Sequence, residues 1–350
     1  MFAQVKLGIT LNNYKGVMMF NASENRKNLK PAVAFGLVTS LFVASSSVLA
    51  VERATLQLAT IASPDNLWYE AAQRFANGVS ERTEGNVRIE IAHSGTTGSV
   101  RESVEALQIG ANDIVQTVIA SLEPYDDIAA IESYPYLFRD ADHFLEVFSS
   151  PLGDELYQEI SNKTGFTLIG AGYRGAREMA SKRPVESVGD LDGLRIRVPE
   201  IRIFRKTWET LGASPVPMGS AEVYTGLQQG IIDAVENPLE AHLRSRYHEA
   251  ADYVIMTGHV HSAYTFLFDN SRFDSFSPEL QEILREEGRS AMEWGSQESL
   301  RLVAEHEEEL ESLGVTIIRP NLDEFREKIK PMADEFPHLA PWVERISTDS

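Results

Sequence analysis

The stretch SPELQEILREEGRSAMEWGSQESLRLVAEHEEELESLG, residues 277–314, decides the fold of this chain. Ser277 carries a side-chain oxygen suited to capping a helix, Pro278 has the φ of a first turn, and Glu279 lies beside the positive helix end. No proline then interrupts the run before Gly314. Gly288 and Gly295 are its weak points, since glycine costs a helix about 1 kcal/mol relative to alanine, and two helices broken near Gly295 are the alternative. A run of about thirty-five residues at about 1.5 Å each is about 50 Å long. That exceeds one small domain, so the helix is expected to run along two lobes. Its charged stretch Glu305–Glu311 reads as a solvated face.

Working outward, strand and helix signals alternate through the rest of the chain. Thr55–Ile61 and Val87–Ile91 alternate in polarity as strands, while Trp68–Val79 and Ser99–Ile109 repeat apolar residues at helical spacing. Ile114–Ala120 is an apolar run, and Phe166–Gly170 and Leu194–Val198 are further strands set off by glycine and proline. The pattern predicts an α/β fold with largely parallel sheets. Pro217–Gly230 reads as a loop, a helix capped by Ser220 and a glycine stop. Ile231–Pro238 follows as a buried strand ending at Asn237.

The first fifty residues differ from the remainder. Arg26, Lys27 and Lys30 precede the apolar run Ala32–Ala44, and the small residues before Ala50 offer a cleavage point. This is the order of a secretory signal peptide over residues 1–50, cut near Ala50, with an uncut signal anchor as the alternative. Met18 or Met19 is a candidate start. The mature chain is then residues 51–350, soluble and periplasmic, with no later segment apolar enough to insert into a membrane. Cysteine is absent, which excludes thiol nucleophiles, zinc–thiolate sites and a lipid-modified cysteine. The whole chain carries a net charge of −20; five basic and one acidic residue lie in the first fifty, so the mature part sits at −24. Such a field repels nucleic acid and anionic lipid. An anion site here must be locally basic and shielded.

Most enzyme signatures are missing. Gly170-Ala-Gly-Tyr-Arg-Gly175 matches the dinucleotide pattern, yet no apolar helical stripe follows it, so its glycines are better read as letting the backbone cross between lobes or a ligand approach closely. His259 and His261 lack a third ligand at a familiar spacing, and neither a zinc-protease nor a serine-hydrolase motif occurs. No metal or cofactor is expected, and no catalysis.

One heptapeptide suggests binding chemistry. Gly193-Leu-Arg-Ile-Arg-Val-Pro199 carries Arg197, which stands twenty residues after Arg177 and forty before Asn237. Two arginines and an amide at the ends of apolar runs can converge on one anion, because a guanidinium fork grips a carboxylate through two parallel hydrogen bonds. The alternative is that Arg195 and Arg197 are surface cations paired with nearby acids. Strand ends in an α/β sheet are where ligands sit, and Arg197 and Asn237 occupy such ends.

Four segments together, GYRGAR ending at Arg177, SKRPVES at 181–187, LDGLRIRVP at 191–199 and GSAEVYTGLQQGIIDAVENP at 219–238, give the chain a resemblance to the solute-binding subunits of tripartite ATP-independent periplasmic (TRAP) transporters, of the C4-dicarboxylate and sialic-acid type. The similarity covers nearly all of residues 54–340. It implies a two-lobed periplasmic-binding-protein-like fold with hinge strands and the long helix. Lobe I would hold residues 51–174 with 263–302, and lobe II 175–262 with 303–350. It implies that Arg197 holds a ligand carboxylate bidentately, with Arg177 and Asn237 as supporting donors. Capture of a small organic acid (a C4-dicarboxylate, a uronate or other sugar acid, or a 2-oxo acid) and delivery to a TRAP-type membrane permease follow from the same resemblance. A periplasmic sensor or a two-lobed periplasmic enzyme is the alternative. A Gly-Gln-Leu-Gly turn common in relatives reads Gly95-Thr-Thr-Gly98 here, so no one relative's ligand transfers. Trp68, Tyr69, Thr117, Tyr173, Trp208 and Tyr264 are candidates to shape the ligand's far end, against ordinary core packing.

Overall fold

The computed structural model describes residues 53–348; the expected signal peptide lies outside them. Among these residues the chain lays down two six-stranded sheets. The first five strands, β1 (Ala54–Thr60), β2 (Val87–Ala92), β3 (Ile114–Thr117), β4 (Phe166–Leu168) and β5 (Gly172–Ala176), belong to the first sheet. The chain then crosses to the second sheet for β6 (Glu178–Ser181), β7 (Arg195–Val198), β8 (Ser214–Pro217), β9 (Ala234–Asn237) and β10 (Tyr253–Ile255). It returns for β11 (His261–Asp269) and ends its strands with β12 (Thr316–Ile318) on the second sheet. The order is β2-β1-β3-β11-β4 with β5 on β11, and β12-β10-β6-β9-β7-β8.

The expectation of largely parallel sheets needs correction. β1 runs parallel to β2 and β3, and β7 to β8 and β9, as helical crossovers require. β11 is antiparallel to β3, β4 and β5, and β6 is antiparallel to β9 and β10. The reversals fall on the strands that carry the chain between sheets, which enter without an intervening crossover helix. The Gly170–Gly175 segment is such a strand. Arg177 N donates to Val260 O at 2.8 Å, tying the outward crossing to the return one.

The helices are α1 (Leu67–Arg82), α2 (Val100–Gln108), α3 (Ala141–Ser149), α4 (Pro151–Thr164), α5 (Arg202–Leu211) and α6 (Val223–Gln228). They continue with α7 (Leu239–Arg244), α8 (Asn270–Asp274), α9 (Pro278–Ser312), α10 (Leu322–Ile329), α11 (Met332–Glu335) and α12 (Ala340–Thr348). Ser220 does not cap α6: it opens a 3-10 turn, Ser220–Glu222, and α6 begins at Val223 without a side-chain cap. α1 begins where Asn66 accepts from Trp68 N, and it buries Trp68, Ala71, Ala72, Phe75, Ala76 and Val79 along one stripe.

α9 is continuous over 35 residues, capped by Ser277, which accepts from Leu280 N. Leu280, Ile283, Leu284, Ala291 and Met292 pack with Leu56, Leu58 and Phe266 of the first sheet and with Phe75 of α1. Its far end places Leu310 with Ala180, Val235 and Val254 on the second. One helix is therefore shared by both lobes. The two glycines explain themselves by close approach: a Cβ on Gly288 would lie 2.8 Å from Ile169, and one on Gly295 would lie 2.2 Å from the Tyr264 hydroxyl. The α12 segment, near the C-terminus, is held to α4: Trp342 Nε1 donates to Glu159 at 3.1 Å and Arg345 forks Glu155.

Candidate ligand-binding site

Strand parity puts Arg195 and Arg197 on one face of β7, because Ile196 and Val198 between and after them fill the core on the other. Their environments then diverge. Arg195 is exposed and forks Asp233 at 2.6 and 2.9 Å, the surface-pair reading made real. Arg197 is only 5% exposed. Its Nε and Nη2 donate to one acceptor, Met218 O, at 2.8 and 2.6 Å, and no carboxylate among the described residues lies within ion-pair distance. Burial pushes its pKa down, with Tyr247 and Glu236 only partly opposing that. A desolvated guanidinium without a counter-ion is costly, and an anion removes the cost.

Arg177 is also buried, at 2% exposure, yet it is not a free donor. It sits at the crossing between β5 and β6. Its Nε donates to Glu236 Oε2, and its Nη2 donates to Glu236 Oε1 at 2.7 Å and to Glu236 O at 3.0 Å. His259 completes the group, with Nε2 3.2 Å from Glu236 Oε2 and Nδ1 2.9 Å from Thr257 Oγ1. Burial alone would raise the Glu236 carboxyl; the Arg177 charge and the His259 hydrogen bond outweigh it and hold the carboxyl well below the usual carboxylate range. The charge of Arg177 is thus spent locally, and the arginine fixes the strand that carries Asn237.

Asn237 ends β9, and its Oδ1 accepts from Arg174 Nη2 at 3.3 Å, which leaves its amide nitrogen as a donor. Arg174, on β5, lies over the Trp68 ring at 4.2 Å, and its buried Nε has no partner among the described residues. Trp68 is itself placed by Gln116 of β3, which donates to Trp68 O at 2.7 Å. The Trp68 Nε1, Thr117 Oγ1 and Tyr264 hydroxyl are buried without hydrogen-bond partners among the described residues. Tyr264 is wedged between Gly172 and Gly295, tilted against Trp68 at 5.3 Å. Tyr173 packs into the opposite core against Phe144, with its hydroxyl 3.0 Å from His261 Nδ1. The geometry therefore gathers Asn237, Trp68 and Tyr264 around Arg174. It sets Arg197 further along the same sheet face, while Tyr173 borders the cavity beside Arg174 with its hydroxyl held by His261.

Two further carboxylates bridge the sheets. Glu240 of α7 accepts from Leu67 N, the first residue of α1, at 2.7 Å. Glu123, beyond β3, accepts from Ile203 N of α5 at 3.1 Å. Each covers the positive end of a helix belonging to the other sheet. A cavity of about 300 Å³ opens beside Arg174, Leu67, Pro238 and Glu240 and reaches Ser299 and Val303 of α9. Sequence reasoning missed Arg174, Glu236, Glu240 and Glu123. The available signal for Glu236 was an acid inside a strand read as buried; the others carried none.

The sequence profile described as "Bacterial extracellular solute-binding protein, family 7" matches residues 58–338. A solute-binding protein of Roseobacter denitrificans is 31% identical over 314 residues, covering 89% of this chain and 96% of that one. Its structure, a TRAP periplasmic solute-binding protein with bound L-galactonate, superposes with a TM-score of 0.80, covering 85% of this chain and 99% of that one. A TRAP periplasmic solute-binding protein of Xanthobacter autotrophicus with bound β-D-galacturonate is 26% identical with a TM-score of 0.81, covering 84% and 100%. The sialic acid-binding periplasmic protein of Vibrio cholerae is 27% identical over 300 residues, 85% of this chain and 94% of that one.

Proposed function

Because the chain belongs to the family 7 bacterial extracellular solute-binding proteins, the TRAP solute-binding type, we propose that it captures a sugar acid in the periplasm and hands it to a TRAP-type permease. The protein is a binding component of transport and performs no chemistry on its ligand. Arg197 anchors the ligand carboxylate, Asn237 donates its amide nitrogen to the same acid, and Arg177, neutralised by Glu236, holds the crossing in place. Thr117 and Trp68 border the ligand, while Tyr173 and Tyr264 support from behind. A signal peptide over residues 1–50 directs export, and no helix of the described residues is long and apolar enough to cross a membrane.

The observation that carries this reading is the buried, counter-ion-free guanidinium of Arg197. A sugar acid rather than a C4-dicarboxylate or 2-oxo acid is favoured by the L-galactonate and β-D-galacturonate bound to the two structural relatives. In a two-lobed protein, a ligand touched from both lobes stabilises the closed form over the open one, and the permease then recognises the closed form. Native mass spectrometry of the protein as purified, followed by thermal-shift titration with D-galacturonate, D-glucuronate, L-galactonate, succinate and pyruvate, tests the reading. A retained carboxylic acid, or a rise in melting temperature with one of these, is expected; failure of every carboxylate to bind overturns it.

A further inference from the structure

We propose that Arg174 and Glu240 form a hydroxyl-reading subsite that sets ligand specificity, selecting acids with a neutral polyol end. The inference rests on the carboxylate anchor at Arg197 and adds to it the recognition of the ligand's other end. Arg174 has no acid within ion-pair distance among the described residues, and its only hydrogen bond is the 3.3 Å contact from Nη2 to Asn237. Its buried Nε is unpartnered among the described residues. The Trp68 ring, 4.2 Å below it, fixes the plane of the guanidinium. Glu240 uses Oε1 to accept from Leu67 N and leaves Oε2 without a partner among the described residues. Both side chains line the cavity of about 300 Å³.

The charges decide the ligand chemistry. Arg174 supplies donors and Glu240 an acceptor, so the pair together is close to neutral. A second carboxylate placed there would meet the Glu240 charge. A hydroxyl group fits both, accepting from Arg174 while donating to Glu240, and neighbouring hydroxyls satisfy the pair at once. Arg197 is in register with Val235, and Asn237, which meets Arg174, lies two residues further along the same face of β9, so a ligand lying along that face meets the two arginines in turn.

Isothermal titration calorimetry with D-galacturonate, L-galactonate and deoxy analogues lacking single hydroxyls tests this. The wild type should bind a sugar acid, and one deoxy analogue should bind at least 30-fold more weakly. In Arg174→Gln that penalty should shrink to 3-fold or less, as it should in Glu240→Gln; Arg174→Lys, which keeps the charge, should retain part of it. A structural role alone would weaken all the acids alike and leave the penalty unchanged, and that result overturns the inference. Should Arg174→Gln not fold, the penalties in Arg174→Lys and Glu240→Gln decide by the same criterion. A wild type that prefers succinate to every sugar acid overturns this subsite while leaving the carboxylate anchor standing. A wild type that binds no carboxylate overturns both.

Discussion

Replacing Arg197 should push apo stability and ligand affinity in opposite directions. The structure holds this guanidinium 5% exposed, with one carbonyl acceptor and no counter-ion among the described residues. Arg197→Met keeps most of the volume and removes the desolvated charge, while leaving Met218 O short of a donor at a cost of about 1 kcal/mol. Substitutions of buried charges by apolar residues range from neutral to stabilising by about 1–4 kcal/mol, so a net gain of about 0–2 kcal/mol is expected here. In a chain of this size that is an apo melting temperature unchanged or raised by up to about 4 °C. The same substitution removes both hydrogen bonds to the bound carboxylate. Loss of one buried charged partner costs about 2–5 kcal/mol, or roughly 30- to several thousand-fold in Kd. Arg197→Lys, which keeps charge without the fork, should lose less, about 10- to 100-fold. Calorimetric melting of ligand-stripped protein and titration with D-galacturonate measure the two quantities. An apo variant destabilised by about 3 kcal/mol or more with unchanged affinity would refute the reasoning, because Arg197 would then be a structural residue.

Four other substitutions probe separate parts of the account. Arg177→Met strands the buried Glu236 carboxylate and should destabilise the apo protein by about 3–5 kcal/mol in urea melts, the opposite of Arg197→Met; an unaltered midpoint would mean that the pair is not needed. Gly295→Ala places a methyl 2.2 Å from the Tyr264 hydroxyl and should cost about 1–3 kcal/mol, with an unchanged melting temperature counting against the tight α9 contact. Glu123→Gln weakens the bridge to α5 and should lower ligand affinity by about 0.3–1 kcal/mol without touching ligand; unaltered titrations would show that the bridge does not favour closure. Burial, offset in part by the Glu178 carbonyl, holds His242 down to about 4 against 6.5. Its folded pKa is depressed, so the unfolded chain binds the extra proton between those values. Stability from this group is intact above pH 6.5 and falls by about 3 kcal/mol toward pH 4. His242→Gln should remove that part of the acid slope in denaturant melts, and an unchanged slope contradicts the assignment.

The long helix was legible because cap, proline and terminal glycine all agreed, and Ser277 and Ser312 mark its ends in the structure. What its glycines were for was not legible, since their purpose lies in Ile169 and Tyr264, more than thirty residues from Gly295 and over a hundred from Gly288. Parity along β7 made Arg195 and Arg197 equivalent. Only the register of Asp233 beside Arg195 separates a surface pair from a buried cation. Strand direction was misjudged where the chain crosses between sheets, because local periodicity is the same for parallel and antiparallel strands. Glu236, Arg174 and Glu240 acquire their roles from partners on other elements, and single-sequence pattern carries no trace of that pairing.

A crystal structure of the protein with D-galacturonate tests the central claim most directly. Both carboxylate oxygens should lie within hydrogen-bonding distance of the Arg197 guanidinium, with the amide nitrogen of Asn237 on the same acid. A sugar acid bound with its carboxylate elsewhere, and Arg197 still engaged only by Met218, would contradict the account.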